Sequence, residues 1–182
     1  MEFQHVPVLL QEVLDGLAIR PDGIYVDGTV GGAGHSCEIA KRLTAGGQLI
    51  GFDRDPDAVA AATERLAGYP ATVVHHNYDE MQTVLTEMGL APVDGVLLDL
   101  GVSSHQLDEE SRGFSYHADA PLDMRMSQTG MTAEELVNTI SEEELARILF
   151  TYGEESFAAA LHGASCRHGR KSRFTRHWSW QN

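Results

Sequence analysis

Cysteine is scarce in this 182-residue chain: Cys37 and Cys166 are the only two. They stand far apart and fit neither a zinc-ligand spacing nor a disulfide framework, which excludes a small cystine-stapled scaffold and a zinc ribbon. No apolar run approaches the roughly eighteen residues that mark a transmembrane helix. The N-terminus, MEFQHVPVLLQEVLDGL, has acids early and no cationic start, so it does not read as a signal peptide. These absences predict a cytoplasmic protein with reduced thiols. Positive charge is also short, with 13 Lys and Arg against 27 Asp and Glu and a net charge of −14. Its distribution is uneven. All 27 acids precede residue 156, so residues 1–160 set eight basic residues against them for a net of −19, whereas residues 161–182 hold five basic residues and no acid. An acidic body argues against a protein that grips bare nucleic acid by charge.

What is present suits one α/β domain with a real core, or one domain plus an appendage: 42% of the residues are hydrophobic, and no internal repeat or low-complexity segment is visible. Residues 24–100 alternate strand and helix patterns at short spacing, which predicts a parallel sheet with right-handed crossovers. The predicted strands are Ile24–Asp27, Gln48–Asp53, Ala71–His75 and Gly95–Leu100. Helices are expected at Leu9–Leu17, Ser36–Leu43, Asp57–Leu66 and Met81–Met88, the third with Asp55 as N-cap and Pro56 in its first turn. From Gly101 to Gly130 no period is sustained, as in a functional loop or a linker. Two short helices with capping boxes follow, Thr132 with Glu135 and Ser141 with Glu144.

The richest segment is IYVDGTVGGAGHS, from Ile24 to Ser36: a β-forming run ending in Asp27, then Gly28, Gly31, Gly32 and Gly34, then a helix pattern. Strand, glycine-rich turn and helix let backbone approach a nucleotide-like ligand closely. Three strand ends finish in an acid, Asp27, Asp53 and Asp99. An acid at the end of the second strand is placed to accept hydrogen bonds from both ribose hydroxyls of an adenosine, in NAD enzymes and in methyltransferases alike. The turn separates the two. A dinucleotide fingerprint needs G-x-G-x-x-G; Gly32 and Gly34 supply the first two positions, but Cys37 stands at the third. S-adenosylmethionine has no pyrophosphate, and glycine backbone with nearby carboxylates suits its amino-acid end and sulfonium better. Strand-end acids and turn glycines taken singly are more often structural punctuation. In LLDLGVSSHQLD, Asp99 is either an acceptor beside the reacting amine or a cap for the following turn.

VDGTVGGAGHS, GFDRDP, LLDLGVSSHQLD, RGFSY, APLDMRM and TYGEESFA occur in this order and spacing. With them the chain resembles the RsmH (MraW) family from about His5 to Ala160. The resemblance implies a bacterial, cytoplasmic methyltransferase acting on N4 of a cytidine in the decoding region of 16S rRNA, within the small ribosomal subunit. It further implies S-adenosyl-L-methionine as cofactor and a Rossmann-like fold with an inserted helical domain. Carried over by position, the cofactor contacts would be Ala33, Gly34 and His35 in the turn, Asp53 on the ribose, Tyr78 against the adenine, and Asp99 and Gln106 completing the pocket, with Asp99 also catalytic and no metal. Tyr78 stands where phenylalanine is more frequent, His105 replaces a usual proline and Ala120 a usual glycine. His105 is expected to loosen the loop that positions Gln106. Arg112, Asp123 and Arg125 fall in matched motifs, with either a role in a substrate-side loop or a salt-bridged scaffold role.

After residue 160 the family continues with a long helix and further strands, whereas LHGASCRHGRKSRFTRHWSWQN is basic and aperiodic. It reads as an RNA-binding arm or as a frameshift product, and the frameshift is the expectation, because the break falls inside a matched helix. The expected organisation is a cofactor-binding domain over 1–108, a loop and the start of the helical domain over 109–160, and an aberrant tail over 161–182. On this reading the parallel sheet is incomplete and the chain folds poorly or has little activity. The oligomeric state is open, a homodimer included. Two other functions compete: an NAD-dependent oxidoreductase, and a catalytically silent cofactor-binding protein that docks on the ribosome.

Overall fold

A computed structural model describes residues 7–44, 46–153 and 175–176. The chain divides into two compact units, Met1–Gly101 and Val102–Asn182. Among the described residues, no helix is long and apolar enough to cross a membrane.

The first unit is built on four parallel strands, β1 (Ile24–Asp27), β2 (Gln48–Asp53), β3 (Ala71–His75) and β4 (Gly95–Leu97), in the order β3-β2-β1-β4. β1 and β2 are buried over most of their length, as central strands covered on both faces must be. Side chains alternate between two apolar layers. Tyr25 and Leu49 join Leu14 of helix α1 (Leu10–Leu17), Cys37 and Ile39 of α2 (Gly34–Ala40), and Ala62 of α3 (Pro56–Arg65). Val26, Ile50 and Phe52 join Leu85, Met81 and Val84 of α4 (Met81–Glu87) on the other side. The first three strands run outward from β1, and β4 then returns to its other flank. The strand order therefore reverses between β1 and β4, and the carboxyl ends there form the crevice in which open α/β sheets take their ligands.

The sequence expectations hold closely for β1, β2, β3 and α3, whose N-cap Asp55 accepts from Asp57 N–H at 3.1 Å ahead of Pro56. β4 ends at Leu97 rather than Leu100. Its neighbour β1 ends at Asp27, opposite Leu97, and no ladder remains beyond that point. Val96, Leu98 and Leu100 are 44%, 44% and 66% exposed along this edge. Helix α2 starts two residues early, because Ala33 takes a left-handed conformation (φ 59°) and caps it, and it tightens into a turn after Ala40.

In the second unit the expected loop contains a helix, α5 (Ser104–Asp108), and a 3-10 turn at Glu110–Arg112. Helices α6 (Ala133–Thr139) and α7 (Glu142–Gly153) follow. The Thr132–Glu135 box is complete, and Ser141 Oγ accepts from Glu144 N–H at 3.3 Å. The loop ahead of α6 is bound to itself. Arg112 donates to the carbonyls of Arg125 and Met126 at 3.2 and 3.0 Å, and the Arg125 guanidinium pairs with Asp123, holding that carboxyl below its usual range. Arg112, Asp123 and Arg125 thus form the scaffold of the loop. Thr175 and Arg176 reach the same loop: Leu122 N–H donates to Thr175 at 3.3 Å, Arg176 bridges Pro121 antiparallel, and its guanidinium pairs with Asp119 at 2.8 Å. The rest of the basic tail lies outside the described residues.

Gly113 is the tightest point of this loop. Its φ is +70°, and a Cβ there would lie 2.3 Å from the Pro121 carbonyl oxygen. Gly113→Ala is expected to destabilise the second unit by about 2–3 kcal/mol, combining left-handed strain with a backbone clash. Amide hydrogen exchange of residues 102–153 would show the lost protection, with the first unit unchanged.

Candidate functional site

The site grows from the turn after β1. Gly28 N–H donates to Leu97 O at 2.9 Å, tying the turn to β4, and the Tyr78 and Leu98 side chains lie against Gly28. Val30 N–H donates to Phe52 O at 2.9 Å and ties the same turn to β2. Two residues from β1 and β2, Asp27 and Asp53, then do different work.

Asp27 does not face a ligand. It is 2% exposed and accepts from Ser36 Oγ at 2.7 Å and Thr29 N–H at 3.1 Å, so it staples the end of β1 to the start of α2. A carboxylate presented at the entrance of the turn, the sequence expectation, is corrected to an internal brace. Burial pushes its pKa up, opposed by the Ser36 and Thr29 hydrogen bonds and by nearby His35. A carboxyl with a raised folded pKa binds protons more readily folded than unfolded, so its contribution to stability falls as pH rises through that pKa. The difference in melting temperature between wild type and Asp27→Asn is expected to fall over that window. A flat difference curve would mean that the carboxyl titrates normally.

Asp53 is partly exposed at the end of β2 and held by two backbone donors, Gly31 N–H on one oxygen and Asp55 N–H on the other, both at 2.9 Å. An ionised carboxylate has about four lone-pair sites, so a fixed, oriented acceptor remains for a vicinal diol. Asp99 lies two residues past β4, exposed, and its N–H donates to Thr29 Oγ1 at 2.8 Å. Tyr78 is 42% exposed in a 3-10 turn after β3. Ala33 is fully buried, and its N–H donates to Val30 O at 2.7 Å, so it shapes the turn through its left-handed backbone. Backbone in that region clusters at ligand sites. Gly34 opens α2, and buried His35 donates Nε2–H to Val8 O at 2.9 Å. Cys37, at the third fingerprint position, packs its side chain into the core beside α3.

The first unit therefore gathers Ala33, Gly34, His35, Asp53, Tyr78 and Asp99 around the carboxyl ends of its strands. Gln106 belongs to the second unit, on α5. It is 5% exposed and engaged in a reciprocal capping box, donating N–H to Ser103 Oγ at 3.2 Å while its Oε1 accepts from Ser103 N–H at 3.0 Å. That box forms with His105 inside the helix. Sequence reasoning missed α5 although Ser103-x-x-Gln106 is the signature used for α6, because five residues carry no measurable period.

A family model described as the MraW methylase family matches residues 2–179. A ribosomal RNA small subunit methyltransferase H from Lachnospira eligens is 62% identical over 161 residues, covering 87% of this chain and 51% of that protein. Proteins of the same name from Symbiobacterium thermophilum and Brevibacillus brevis are 53% and 54% identical over 164 residues, each covering 88% of this chain and 52% of the relative. The chain spans about half the length of the curated relatives it matches.

Proposed function

The chain belongs to the MraW methylase family, and from that premise we propose that it is the cofactor-binding part of a cytoplasmic methyltransferase that modifies N4 of a cytidine in 16S rRNA of the small ribosomal subunit. The observation that carries the reading is Asp53, a strand-end carboxylate locked by Gly31 and Asp55 N–H groups beside the turn where strand order reverses.

S-adenosyl-L-methionine, when bound, supplies a methyl group on a sulfonium that is already strongly electrophilic. What remains for the protein is alignment. Asp53 would accept from the two ribose hydroxyls, Tyr78 would lie along the adenine, and Ala33, Gly34 and His35 would shape the wall on the α2 side. Asp99, anchored through its backbone to Thr29, would accept a hydrogen bond from the N4 amino group and receive its proton as the nitrogen gains the methyl. The Cys37 side chain in the core argues against the close helix–strand approach that dinucleotide binding uses.

Val96, Leu98 and Leu100, exposed on the β4 edge, support a further part of the proposal: this chain holds the cofactor but turns over slowly, if at all, by itself. Tritiated methyl transfer to small ribosomal subunits, run beside a full-length relative and followed by nucleoside digestion, tests both halves. The expected result is label in N4-methylcytidine from the relative and close to background from this chain. Robust turnover by this chain would overturn the second half, and label in another nucleoside would overturn the substrate.

A further inference from the structure

Two of the three residues ahead of α1 lie against the glycine-rich turn in a way that cofactor contacts alone do not explain. Pro7 sits directly on Gly34: a Cβ at Gly34 would lie 2.7 Å from the proline ring, so only glycine admits the contact. One residue on, the Val8 carbonyl lies 2.9 Å from His35 Nε2. A carbonyl oxygen only accepts, so Nε2 must carry the proton. Leu9 follows in a left-handed conformation, φ 52° and ψ 36°, with its side chain 64% exposed. A leucine rarely adopts that backbone, and here it turns the chain so that the Val8 carbonyl faces the histidine while Leu9 O receives Val13 N–H at 2.9 Å and starts α1.

We infer that Pro7–Leu9 is a positioning strap for the cofactor site: the Val8 carbonyl fixes the ring orientation and the Nε2–H tautomer of His35, and Leu9 holds that carbonyl in place. With Nε2–H given to Val8, Nδ1 is the ring nitrogen left to face the ligand. His35 then offers the cofactor an oriented acceptor in place of a ring averaging between two tautomers and two flips. His35 would touch the ligand, whereas Val8 and Leu9 act through it. The inference rests on the cofactor reading proposed above. It adds that a segment centred on Val8, 27 positions upstream of His35, sets the affinity of a site to which it contributes no atom.

The test exploits the unusual backbone at Leu9. Glycine accepts a left-handed conformation freely, whereas a β-branched residue resists it. Leu9→Gly removes and Leu9→Val shortens an exposed side chain, and the two differ chiefly in whether the strap can hold. Nitrogen-15 spectra of the ligand-free full chain read the tautomer directly, with His35→Gln assigning the signal among the nine histidines. The expected pattern is Nε2–H at His35 in wild type and Leu9→Gly, and mixed tautomers in Leu9→Val. Titration with S-adenosylhomocysteine should give equal affinity for wild type and Leu9→Gly and about tenfold weaker binding for Leu9→Val, the worth of one well-placed hydrogen bond. A protonated Nδ1 in wild type, or identical spectra and affinities for the two variants, would overturn the strap. The expected tautomer pattern in a wild-type chain that binds no S-adenosylhomocysteine would instead overturn the cofactor reading and the link from strap to ligand.

Discussion

Replacing Asp53 with alanine is expected to weaken S-adenosylhomocysteine binding about 100-fold. The carboxylate would make two charge-assisted hydrogen bonds to the ribose, and their loss corresponds to roughly 2.7 kcal/mol. Alanine also strips the acceptor from Gly31 N–H and Asp55 N–H, so the turn after β1 and the start of α3 both loosen. Asparagine separates the two effects. Its carbonyl oxygen keeps one backbone donor while its NH2 meets the other N–H, so Asp53→Asn is expected to melt between wild type and Asp53→Ala and to bind about tenfold more weakly than wild type. Calorimetric titration with melting curves measures both quantities. Equal affinity for wild type and Asp53→Ala would place the ribose elsewhere.

The second large effect is expected at Asp99, and it separates an enzyme from a cofactor-binding scaffold. Asp99 is exposed and its tie to the fold is through its backbone N–H to Thr29, so its side chain can be removed without disturbing the sheet. Asp99→Ala should weaken S-adenosylhomocysteine binding by no more than about tenfold, the worth of the one cofactor hydrogen bond expected of it. The matching substitution in a full-length relative should lower methyl transfer by about 100-fold or more, the usual worth of a positioned proton acceptor. A scaffold that docks on the ribosome would keep its association with small subunits and have no turnover to lose. Cosedimentation with subunits, run beside the methyl-transfer assay, distinguishes the two.

Much of the first unit was legible because its signals are local and dense. β1 and β2 are short apolar runs that a doubly covered parallel sheet requires, and Asp55–Pro56 announces α3 by cap chemistry alone. The errors fall where a distant partner decides. Leu98 to Leu100 continue an apolar pattern, yet the strand stops at Leu97 because β1 has already turned away. Asp27 looks like any strand-end acid, and only the return of the chain to Ser36 turns its carboxylate inward. Asp53, the sixth residue of β2 and equally acidic, faces outward because its oxygens meet backbone N–H groups on the rim.

Of the seven cofactor-site residues expected from the resemblance, six lie in the first unit and one, Gln106, in the second. Their identities were available in the motifs, but the means by which they are held was not. That His35 is oriented by Val8, and that Gly34 is small because Pro7 sits on it, are contacts across 27 residues with no periodicity to betray them. Arg112, Asp123 and Arg125 were equally ambiguous in the sequence. The carbonyls that Arg112 reaches and the carboxylate that Arg125 grips are what support the scaffold reading.

S-adenosylmethionine, and not a dinucleotide, is proposed to occupy the crevice between β1 and β4. Calorimetric titration of the purified 182-residue chain with S-adenosylhomocysteine and, separately, with NAD tests it most directly. Saturable binding of S-adenosylhomocysteine at one site is expected, and none of NAD at the same concentrations. Tighter binding of NAD, or no binding of either by a chain whose circular dichroism shows it folded, would contradict it.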